Sequence, residues 1–242
     1  MKEERFFYHP NAESVNSLPV EETAHAVRVL RLHKDDAICL MDGKGTFFDA
    51  VITETTKKSC NYKIVDKHTQ TRSWNAYLHI ALAPTKNIDR IEWMVEKAVE
   101  IGVDEISFIN TDFTERKRVN IERLDKIVIA AMKQSRKPFK TIINDIVPFK
   151  TFINSVRQKN KFICHCYADD NKVDLIEKKL LKNVASNLDD MIVMIGPEGD
   201  FSIDEVLQAQ NTGFQPVSLG NSRLRTETAA LVAVHIMNLF NS

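Results

Sequence analysis

The sequence predicts a parallel α/β fold preceded by a smaller β-rich unit. The main observation is the stretch from Met191 to Phe240, in which an apolar run, a glycine-bounded loop and a helical pattern follow one another twice. A strand–helix–strand pattern between Trp74 and Ile109 is the second observation, and closely spaced short strands before residue 72 are the third. Alternating strands and helices are typical of parallel sheets, whereas successive short strands are typical of small β-barrels.

The first part of the chain contains several short strands and one helix. The helix is predicted to begin at Leu18-Pro19 and to end near Leu32-His33, with Glu21 and Glu22 in its first turn, where the helix dipole favours acidic groups. The predicted strands are Phe6–Tyr8, Ala37–Met41, Phe47–Ile52 and Asn61–Val65, with a tight turn at Asp42–Gly45. A polar stretch from His68 to Ser73 predicts a boundary between one domain at residues 1–72 and another at residues 73–242.

The second part begins with a strand–helix–strand unit. An apolar strand from Trp74 to Ala83 precedes a helix that ends at Gly102, a residue typical of helix C-terminal caps. The next strand is predicted at Val103–Ile109. Further along the chain, the patterns predict a helix over residues 120–135 and a strand from Lys161 to Tyr167.

Two glycine loops form the candidate ligand site. Gly196-Pro197-Glu198-Gly199 follows the apolar run Met191–Ile195, and Gly220-Asn221-Ser222 follows the run Pro216–Leu219. We expect the two runs to be neighbouring parallel strands. Open α/β sheets bind ligands in the crevice at the carboxyl ends of such strands, so the two loops are the candidate ligand site. Neither GxGxxG nor GxxxxGK[ST] occurs in the chain, so the loops do not belong to the familiar nucleotide-binding types. Spacing alone leaves two ordinary turns as an equal alternative.

The charge distribution indicates a polyanionic partner. Lys and Arg total 33 and Asp and Glu total 33, so the net charge is zero. Between Phe113 and Lys140, however, nine basic residues face three acidic ones. Such a local excess in a neutral chain fits RNA, although a solvated helix face produces the same pattern. Arg28 and Arg31, three residues apart on a predicted helix, leave the same two interpretations open.

Several classes of site are not expected. The four cysteines form no CxxC pair, and Cys164 and Cys166 would lie on the opposite strand face from His165, so we expect no metal. Free thiols suggest a reducing compartment. The N-terminal residues MKEERFFYHP lack an export-type apolar region, and no run approaches the roughly 20 apolar residues of a membrane span. We therefore expect a cytoplasmic protein without membrane contact.

Two motifs together resemble a known family. GPEGDFS (Gly196–Ser202) and LGNSRLRTETA (Leu219–Ala229) resemble the signature pair of the ribosomal RNA small subunit methyltransferase E family, which belongs to the knotted SPOUT class. The resemblance covers nearly the whole chain. The other matching segments are Arg5-Phe6-Phe7, His25–Arg31, Asp42–Gly45, Lys97–Val103, Thr114-Glu115-Arg116 and Met132–Arg136.

Four residues depart from the family pattern. Asp200 stands where the family usually has glycine, and Ser222 stands where arginine is common. Arg223 stands where an aliphatic residue is common, and Lys133 replaces a glutamate. The effect of these departures on ligand contacts is left open, and the displaced arginine leaves Arg136 and Lys137 as alternatives for one contact.

The resemblance implies a fold and an activity. The fold is a knotted SPOUT-type parallel-sheet methyltransferase domain preceded by a PUA-like RNA-binding barrel. The activity is the transfer of a methyl group from S-adenosylmethionine to N3 of a uridine in 16S ribosomal RNA of the small ribosomal subunit, by a homodimer. Because N3–H is a weak acid, a base or a cation that stabilises the anion is required.

The resemblance also implies the site residues. Arg225 and Glu198 are the candidate catalytic residues, while Glu227 either acts as a base or caps the last helix. The candidate cofactor-binding residues are Ile195, Gly196, Pro197, Glu198, Gly199, Leu219, Gly220, Ser222, Leu224, Arg225, Thr228 and Ala229. The candidate RNA-binding residues are Arg5, Arg28, Arg31, Lys86, Arg116, Arg136 and Lys137.

Two other classes of protein are weighed against this one. A non-catalytic RNA-binding module for ribosome assembly would keep the basic segments but would not need the glycine loops. A Rossmann-type oxidoreductase would carry GxGxxG after its first strand, and the sequence has none. Thermal stabilisation by S-adenosylmethionine or by NAD distinguishes the methyltransferase from the oxidoreductase.

Overall fold

The chain divides into two compact units. The computed structural model describes residues 4–167, 173–175 and 190–241. The N-terminal unit comprises Met1–Arg72 together with Ile129–Lys140, and the C-terminal unit comprises Ser73–Val128 and Thr141–Ser242. The sequence predicted a single boundary between residues 72 and 73. The structure also assigns Ile129–Lys140, which lies within the predicted second domain, to the N-terminal unit.

The N-terminal unit is built on a four-stranded sheet. Its strands are β1 (Phe6–Tyr8), β2 (Ala37–Met41), β3 (Thr46–Thr55) and β4 (Cys60–Thr69). They lie in the order β1-β2-β3-β4, with β1 parallel to β2 and the remaining pairs antiparallel. Alternate residues of β2 and β3 enter an apolar core that includes Phe7, Leu40 and Ile52, because successive side chains of a strand point to opposite faces.

The predicted first helix is shorter than the sequence indicates. Helix α1 (Val20–Ala24) continues as a π-helical turn over His25–Val29 and does not reach His33. Arg31 then adopts a left-handed conformation with φ of 52°. This backbone reversal returns Leu32 to the core, where it is 2% exposed. Burial of Leu32 therefore overrides the helical periodicity.

The segment Ile129–Lys140 is tied to the β2–β3 hairpin. Within the hairpin, Asp42 Oδ1 accepts hydrogen bonds from the amides of Lys44 and Thr46 at 2.7 and 2.9 Å. The amide of Gly45 donates to the carbonyl of Pro138 at 3.0 Å. A Cβ at Gly45 would lie 2.6 Å from the ring of Phe139, so this position requires glycine.

A buried ion pair also joins this segment to α1. Lys133 Nζ lies 2.6 Å from Glu22 Oε1, and the two side chains are 21% and 9% exposed. The second oxygen, Glu22 Oε2, is buried and has no hydrogen-bond partner among the described residues. The charge pattern counted Lys133 among the basic residues of a solvated or RNA-binding surface. In the structure its ammonium group instead pairs with Glu22 inside the N-terminal unit.

The C-terminal unit contains a seven-stranded parallel sheet. Its strands are β5 (Leu78–Leu82), β6 (Glu105–Asn110), β7 (Ile142–Pro148), β8 (Asn160–Cys164), β9 (Val173–Asp174), β10 (Met191–Ile195) and β11 (Gln215–Ser218). They lie in the order β7-β6-β5-β10-β8-β11-β9, and each pair is parallel. All residues of β5 and β10 are buried, as expected for strands covered on both faces.

The helices of this unit follow their strands. Within the described ranges they are α2 (Ile88–Ile101), α3 (Ile121–Ser135, which continues into the N-terminal unit), α4 (Phe149–Ser155), α5 (Ile203–Asn211) and α6 (Thr226–Asn241). Asn87 caps α2 by accepting the amide hydrogen of Asp89 at 2.9 Å. Helix α6 packs against α2 and against the two central strands. No helix in the described ranges is long and apolar enough to cross a membrane.

Two expectations about the sheet are wrong. The strands that precede the glycine loops, β10 and β11, are not neighbours, because β8 lies between them. Helix α5 carries the chain past β8, a crossover that the order of elements in the sequence does not reveal. The strand predicted to reach Tyr167 ends at Cys164, where its pairing with β10 stops.

A buried polar cluster lies near the amino ends of three strands. His79 Nε2 and Ser107 Oγ are 2.8 Å apart, and His79 Nδ1 lies 3.3 Å from Gln158 Nε2 and 3.6 Å from Glu105 Oε2. Asn144 Nδ2 donates to Ser107 Oγ at 2.9 Å. Burial lowers the pKa of His79 to about 4, and the opposing effect of the Glu105 charge is smaller.

The His79 cluster makes folding stability depend on pH. Between pH about 6.5, where His79 titrates in the unfolded chain, and about 4, its pKa in the folded protein, only the unfolded state takes up this proton. Stability is therefore lost as the pH falls through this window. We expect denaturant unfolding to show that the wild type loses about 2 kcal/mol more than His79→Gln between about pH 7.5 and about pH 5. Equal losses in both proteins would contradict this assignment.

Removal of one partner of the Glu22–Lys133 pair should be more harmful than removal of both. Lys133→Met leaves a buried carboxylate without its cation, and we expect it to lower the unfolding free energy by about 2–4 kcal/mol. The double variant Glu22→Gln/Lys133→Met should recover part of this loss, whereas Lys58→Met, at an exposed lysine of the same unit, should cost under about 0.5 kcal/mol. Additive losses in the double variant would show that the two side chains are not coupled.

Candidate functional site

Hydrogen bonds tie together the loops that follow three adjacent strands of the C-terminal unit. Arg116, after β6, donates from Nε to the carbonyl of Thr85 at 3.1 Å and from Nη2 to the carbonyl of Lys86 at 2.6 Å. The amide of Lys86, after β5, donates to Glu198 Oε1 at 3.1 Å. Because Glu198 follows β10, these bonds span the carboxyl edge of β6, β5 and β10, which is where parallel sheets place ligand sites.

The second glycine loop reaches this edge through the start of α6. Thr226 Oγ1 donates to the carbonyl of Gly196 at 3.1 Å, and this bond is buried. Gly220 has φ of 109°, which favours glycine. At Gly196, a Cβ would lie 3.1 Å from the amide nitrogen of Phe201 and 3.1 Å from its ring. Gly196 therefore leaves room for Phe201, whereas at Gly220 the positive φ, and not a close contact, favours glycine.

The start of α5 is attached to the turn after β6. Ser202 and Glu205 form a capping box, in which Ser202 Oγ accepts the Glu205 amide and Glu205 Oε2 accepts the Ser202 amide. Ser202 Oγ also donates to Asp112 Oδ2 at 2.7 Å, and the Asp112 amide donates to Glu205 Oε1 at 3.0 Å. Burial raises the pKa of Glu205, and its hydrogen bonds to the amides of Ser202 and Asp112 oppose this rise.

Asp200 links the first glycine loop to the end of β8. Its backbone is left-handed, with φ of 69°, and its Oδ2 accepts the amide hydrogen of Cys166 at 2.7 Å. Nearby, the Tyr167 hydroxyl donates to the carbonyl of Phe201 at 2.8 Å. Aspartate tolerates the left-handed conformation better than most residues and adds an acceptor that glycine lacks. The departure from the family's glycine is therefore compatible with the turn.

Two pockets lie in the C-terminal unit beside these loops. Pocket A has a volume of about 580 Å³, and its lining residues are Asp89, Arg90, Trp93, Arg223, Leu224, Arg225, Glu227 and Thr228. Pocket B has a volume of about 460 Å³, and its lining residues are Asp112, Phe113, Thr114, Glu115, Glu198 and Gly199. Both combine a large aromatic side chain with carboxylates, which suits ligands that carry planar rings and hydrogen-bond donors.

Glu227 is a buried carboxylate in the lining of pocket A. Its side chain is 8% exposed, and its Oε1 lies 3.7 Å from Arg90 Nη1. Its Oε2 has no hydrogen-bond partner within the described ranges. A buried acceptor without a donor is costly, so a ligand in pocket A that presents an N–H group would relieve this cost.

The structure separates the predicted site residues into groups. Leu224, Arg225 and Thr228 line pocket A, whereas Glu198 and Gly199 line pocket B, so the two candidate catalytic residues do not share a pocket within one chain. Ile195, Gly196 and Pro197 are buried, and Leu219 and Ala229 are partly buried. Gly220 and Ser222 are exposed on the second glycine loop.

The predicted RNA-binding residues are also distributed. Lys86 and Arg116 belong to the network at the sheet edge, and the Lys86 ammonium pairs with Glu115 at 3.1 Å. The others lie in the N-terminal unit. Arg28 and Arg31 are exposed and Arg5 is partly exposed, whereas Arg136 lies over the ring of Phe6 and pairs with Glu4. Burial lowers the pKa of Lys137, which is only partly exposed.

The basic segment is less available than the sequence suggests. Besides Lys133 and Arg136, Arg123 forms an ion pair with Glu92, and Lys117 Nζ donates to Asn110 Oδ1 at 2.8 Å. Exposed ion pairs contribute little to stability and give way readily to a competing anion. The described part of the chain holds no group of three or more His, Cys, Asp or Glu side chains that could bind a metal ion.

Several residues that line the pockets were not predicted from the sequence, including Arg90, Trp93 and Phe113. Arg90 and Trp93 lie on α2, and Phe113 lies on the turn after β6. Trp93 and Phe113 are 47% and 51% exposed. Large aromatic side chains are usually at least partly buried. A tryptophan outside the apolar face of α2 and a phenylalanine in the polar segment Thr111–Arg118 were therefore unusual enough to indicate a binding surface.

Comparisons with known proteins agree with this architecture. A model of the RNA methyltransferase domain family matches residues 72–238, and a model of the RNA methyltransferase PUA domain matches residues 18–65. The chain is 30% identical to the ribosomal RNA small subunit methyltransferase E of Rickettsia conorii over 231 residues, which cover 93% of this chain and 90% of the relative.

Solved structures match over almost the full length. A probable rRNA-methyltransferase from Porphyromonas gingivalis is 41% identical, with a TM-score of 0.87 and 98% of each chain covered. A ribosomal RNA small subunit methyltransferase E from Neisseria gonorrhoeae, solved bound to S-adenosyl methionine, is 27% identical, with a TM-score of 0.84 and the same coverage.

Fold, loops and comparisons together define an RNA methyltransferase of the SPOUT class with an N-terminal PUA-like domain. The predicted fold class is confirmed. Within that class, the chain belongs to the ribosomal RNA small subunit methyltransferase E family.

Asp200 allows the link between the first glycine loop and β8 to be tested. Asp200→Ala loses both the acceptor and the tolerance for positive φ, and we expect it to lower the unfolding free energy by about 1–2 kcal/mol. Asp200→Gly keeps the backbone conformation but loses the acceptor, and Asp200→Asn keeps both. The loss of unfolding free energy should therefore be largest for alanine, smaller for glycine and smallest for asparagine. Thermal unfolding measures these losses. A full loss in Asp200→Asn would assign the effect to the charge instead.

Proposed function

We propose that this protein transfers a methyl group from S-adenosylmethionine to N3 of a uridine in 16S ribosomal RNA of the small ribosomal subunit. Membership of the family and the printed names of its relatives support the reaction class and the RNA. The Neisseria relative, matched over 98% of both chains, was solved with S-adenosyl methionine bound. The choice of uridine and of N3 rests on the resemblance of the two signature motifs.

The Thr226–Gly196 hydrogen bond is the observation that carries the proposal. It brings the start of α6 into contact with the first glycine loop, although the strand before α6 lies two positions from β10 in the sheet. This arrangement converts two separate motifs into one binding edge. It also supports the inference that the chain between β10 and α6 forms the knot implied by the resemblance.

The residues at this edge fit the cofactor. The residues that would hold it are the backbone of Ile195–Gly199 together with Leu219, Gly220, Ser222, Leu224, Arg225, Thr228 and Ala229. Glu227 Oε2, buried in the pocket A lining without a donor among the described residues, suits a ligand with N–H groups or positive charge. When bound, S-adenosylmethionine supplies a methyl group activated by its sulfonium.

Two residues handle the proton and the charge of the uracil. The Lys86 amide donates to Glu198 Oε1 at 3.1 Å and so orients the carboxylate. The other carboxylate oxygen, Oε2, accepts the N3 proton. Arg225 is exposed in the lining of pocket A, where its guanidinium stabilises the developing anion. Orientation of the ring N3 by the surrounding loops supplies a further part of the rate.

A homodimer would resolve the separation of Glu198 and Arg225. In one chain they line different pockets, and we expect a second copy to bring one chain's pocket A residues to the other's pocket B residues. Trp93 on α2 and Leu239 on α6, 47% and 45% exposed, offer an apolar surface for this contact on two helices that pack together.

RNA binding and location complete the proposal. The PUA-like domain would bind RNA through Arg5, Arg28 and Arg31, with Arg136 and Lys137 from the second segment of the same unit. Lys86 and Arg116 would contact phosphates near the site. Ribosomal subunits lie in the cytoplasm, and none of the four cysteines forms a disulfide, which fits a reducing compartment.

The decisive experiment is methyl transfer from labelled S-adenosylmethionine to small ribosomal subunits that lack the modification, followed by mass spectrometry of the digested RNA. We expect 3-methyluridine as the product. Arg225→Ala should lower the rate about 100-fold or more without changing the melting temperature, because it removes a cation from the developing charge. Arg223→Ala, at a neighbouring exposed arginine of pocket A, is the matched control and should lose less than about 5-fold.

Each outcome has a distinct meaning. A methyl group on another base would keep the reaction class and overturn the assignment of uridine N3. Tight binding of RNA without any transfer would favour a non-catalytic assembly factor. Full activity of Arg225→Ala would remove that residue from the site.

A further inference from the structure

We infer that Phe113 is the surface on which the target uracil stacks, with the ring held in pocket B beside Glu198. This assignment rests on the proposed function, because it names a positioning residue for the same reaction. Neither signature motif includes Phe113, which lies on the turn after β6.

The Phe113 side chain is exposed although its backbone is firmly held. Its side chain is 51% exposed, while Thr111 and Thr114 on either side are each 3% exposed. The two threonine hydroxyls lie 2.7 Å apart, Thr114 Oγ1 accepts the Thr111 amide at 2.9 Å, and the Thr114 amide donates to the Thr111 carbonyl at 3.2 Å. These bonds close a tight turn with Asp112 and Phe113 at its tip.

The tip of the turn is anchored to α5 as well. Asp112 accepts from Ser202 Oγ and donates its amide to Glu205 Oε1, at 2.7 and 3.0 Å. The turn is therefore fixed on both sides of the aromatic ring. A rigid, exposed aromatic side chain gains little from burial in the folded chain, but it lowers the entropic cost of binding a planar ligand.

Gly199 brings the aromatic ring to the first glycine loop. A Cβ at Gly199 would lie 3.1 Å from Phe113 Cβ and 3.5 Å from its Cγ, so the absence of a side chain lets Phe113 pack directly on this loop. Glu198, the proposed base, is the adjacent residue. Phe113 thus packs on the backbone beside Glu198, and both side chains line pocket B.

The chemistry of pocket B favours a nucleobase over other ligands. The pocket volume of about 460 Å³ accommodates a pyrimidine with part of its ribose. Uracil offers a π face to Phe113 and an N3–H donor to Glu198. Asp112 and Glu115 also line the pocket and disfavour a phosphate there, whereas Lys86 and Arg116 at its edge suit the flanking backbone.

A base must leave its stacked position to enter such a pocket. Enzymes that modify a base within structured RNA expose it and compensate for the lost stacking with aromatic side chains. Base–aromatic stacking contributes about 1–3 kcal/mol, which corresponds to about 5- to 150-fold in affinity. Phe113 is an exposed aromatic side chain that lines the same pocket as Glu198.

The test compares Phe113→Ala, Phe113→Tyr and Phe113→Trp in the full-length enzyme. We expect Phe113→Ala to lower kcat/KM for small ribosomal subunits about 5- to 150-fold, while the S-adenosylmethionine Kd and the melting temperature stay close to the wild-type values. The two aromatic variants should retain activity within a few-fold. Leu207→Ala, at a 53% exposed leucine of α5, controls for the loss of an exposed apolar side chain and should be fully active.

A spectroscopic measurement separates stacking from a structural role. The fluorescence of Phe113→Trp should be quenched when an RNA oligonucleotide with the target uridine is added, beyond any change in the wild type, which has only Trp74 and Trp93. Quenching should be weaker with an abasic nucleotide at the target position.

Defined results would overturn the assignment. If the wild type transfers the methyl group and Phe113→Ala does so equally well, Phe113 does not position the base and the proposed function stands. Equal losses in the alanine and aromatic variants, or a loss of S-adenosylmethionine affinity, would assign Phe113 to loop structure. An inactive wild type would refute the proposed function itself, and the assignment of Phe113 would fall with it.

Discussion

The candidate site depends on hydrogen bonds that join loops from different strands of the parallel sheet. Arg116, the Lys86 amide and Glu198 connect the loops after β6, β5 and β10, and Thr226 connects α6 to Gly196. Parallel strands all present their carboxyl ends at one edge, so loops far apart in sequence meet there. Each of these bonds joins a side chain to a backbone group of another loop and so fixes that side chain, and the bond from Thr226 to Gly196 also satisfies a buried carbonyl. Rigid loops then allow exposed side chains such as Phe113 and Arg225 to be positioned before a ligand arrives.

Glycine and aspartate make this close approach possible. Gly196 and Gly199 lie where a Cβ would come within 3.1 Å of Phe201 or Phe113. Asp200 adopts a left-handed backbone and uses its carboxylate to hold the end of β8. The family's usual glycine would satisfy only the backbone conformation. In this chain, one side chain therefore adds a link between two loops without changing the course of the backbone.

The N-terminal unit shows how tertiary structure redistributes charge. The segment Ile129–Lys140 carries part of the basic patch, yet Lys133 pairs with Glu22 in a largely buried position and Arg136 lies over Phe6. Helical periodicity cannot distinguish a lysine that faces water from one that faces an acidic residue of another segment, because both lie off the apolar stripe. Arg28 and Arg31, which are exposed, are thus more available to a partner than Lys133.

The sequence alone determined the parallel α/β class and the glycine loops, because strand and helix periodicity are local properties. The two family motifs could also be recognised from the sequence, because each is a continuous run of residues. Tertiary structure decided that β8 separates β10 from β11, that residues 129–140 join the N-terminal unit, and that Glu198 and Arg225 line different pockets. These features arise from pairing and packing between residues distant in the chain, for which local periodicity carries no signal.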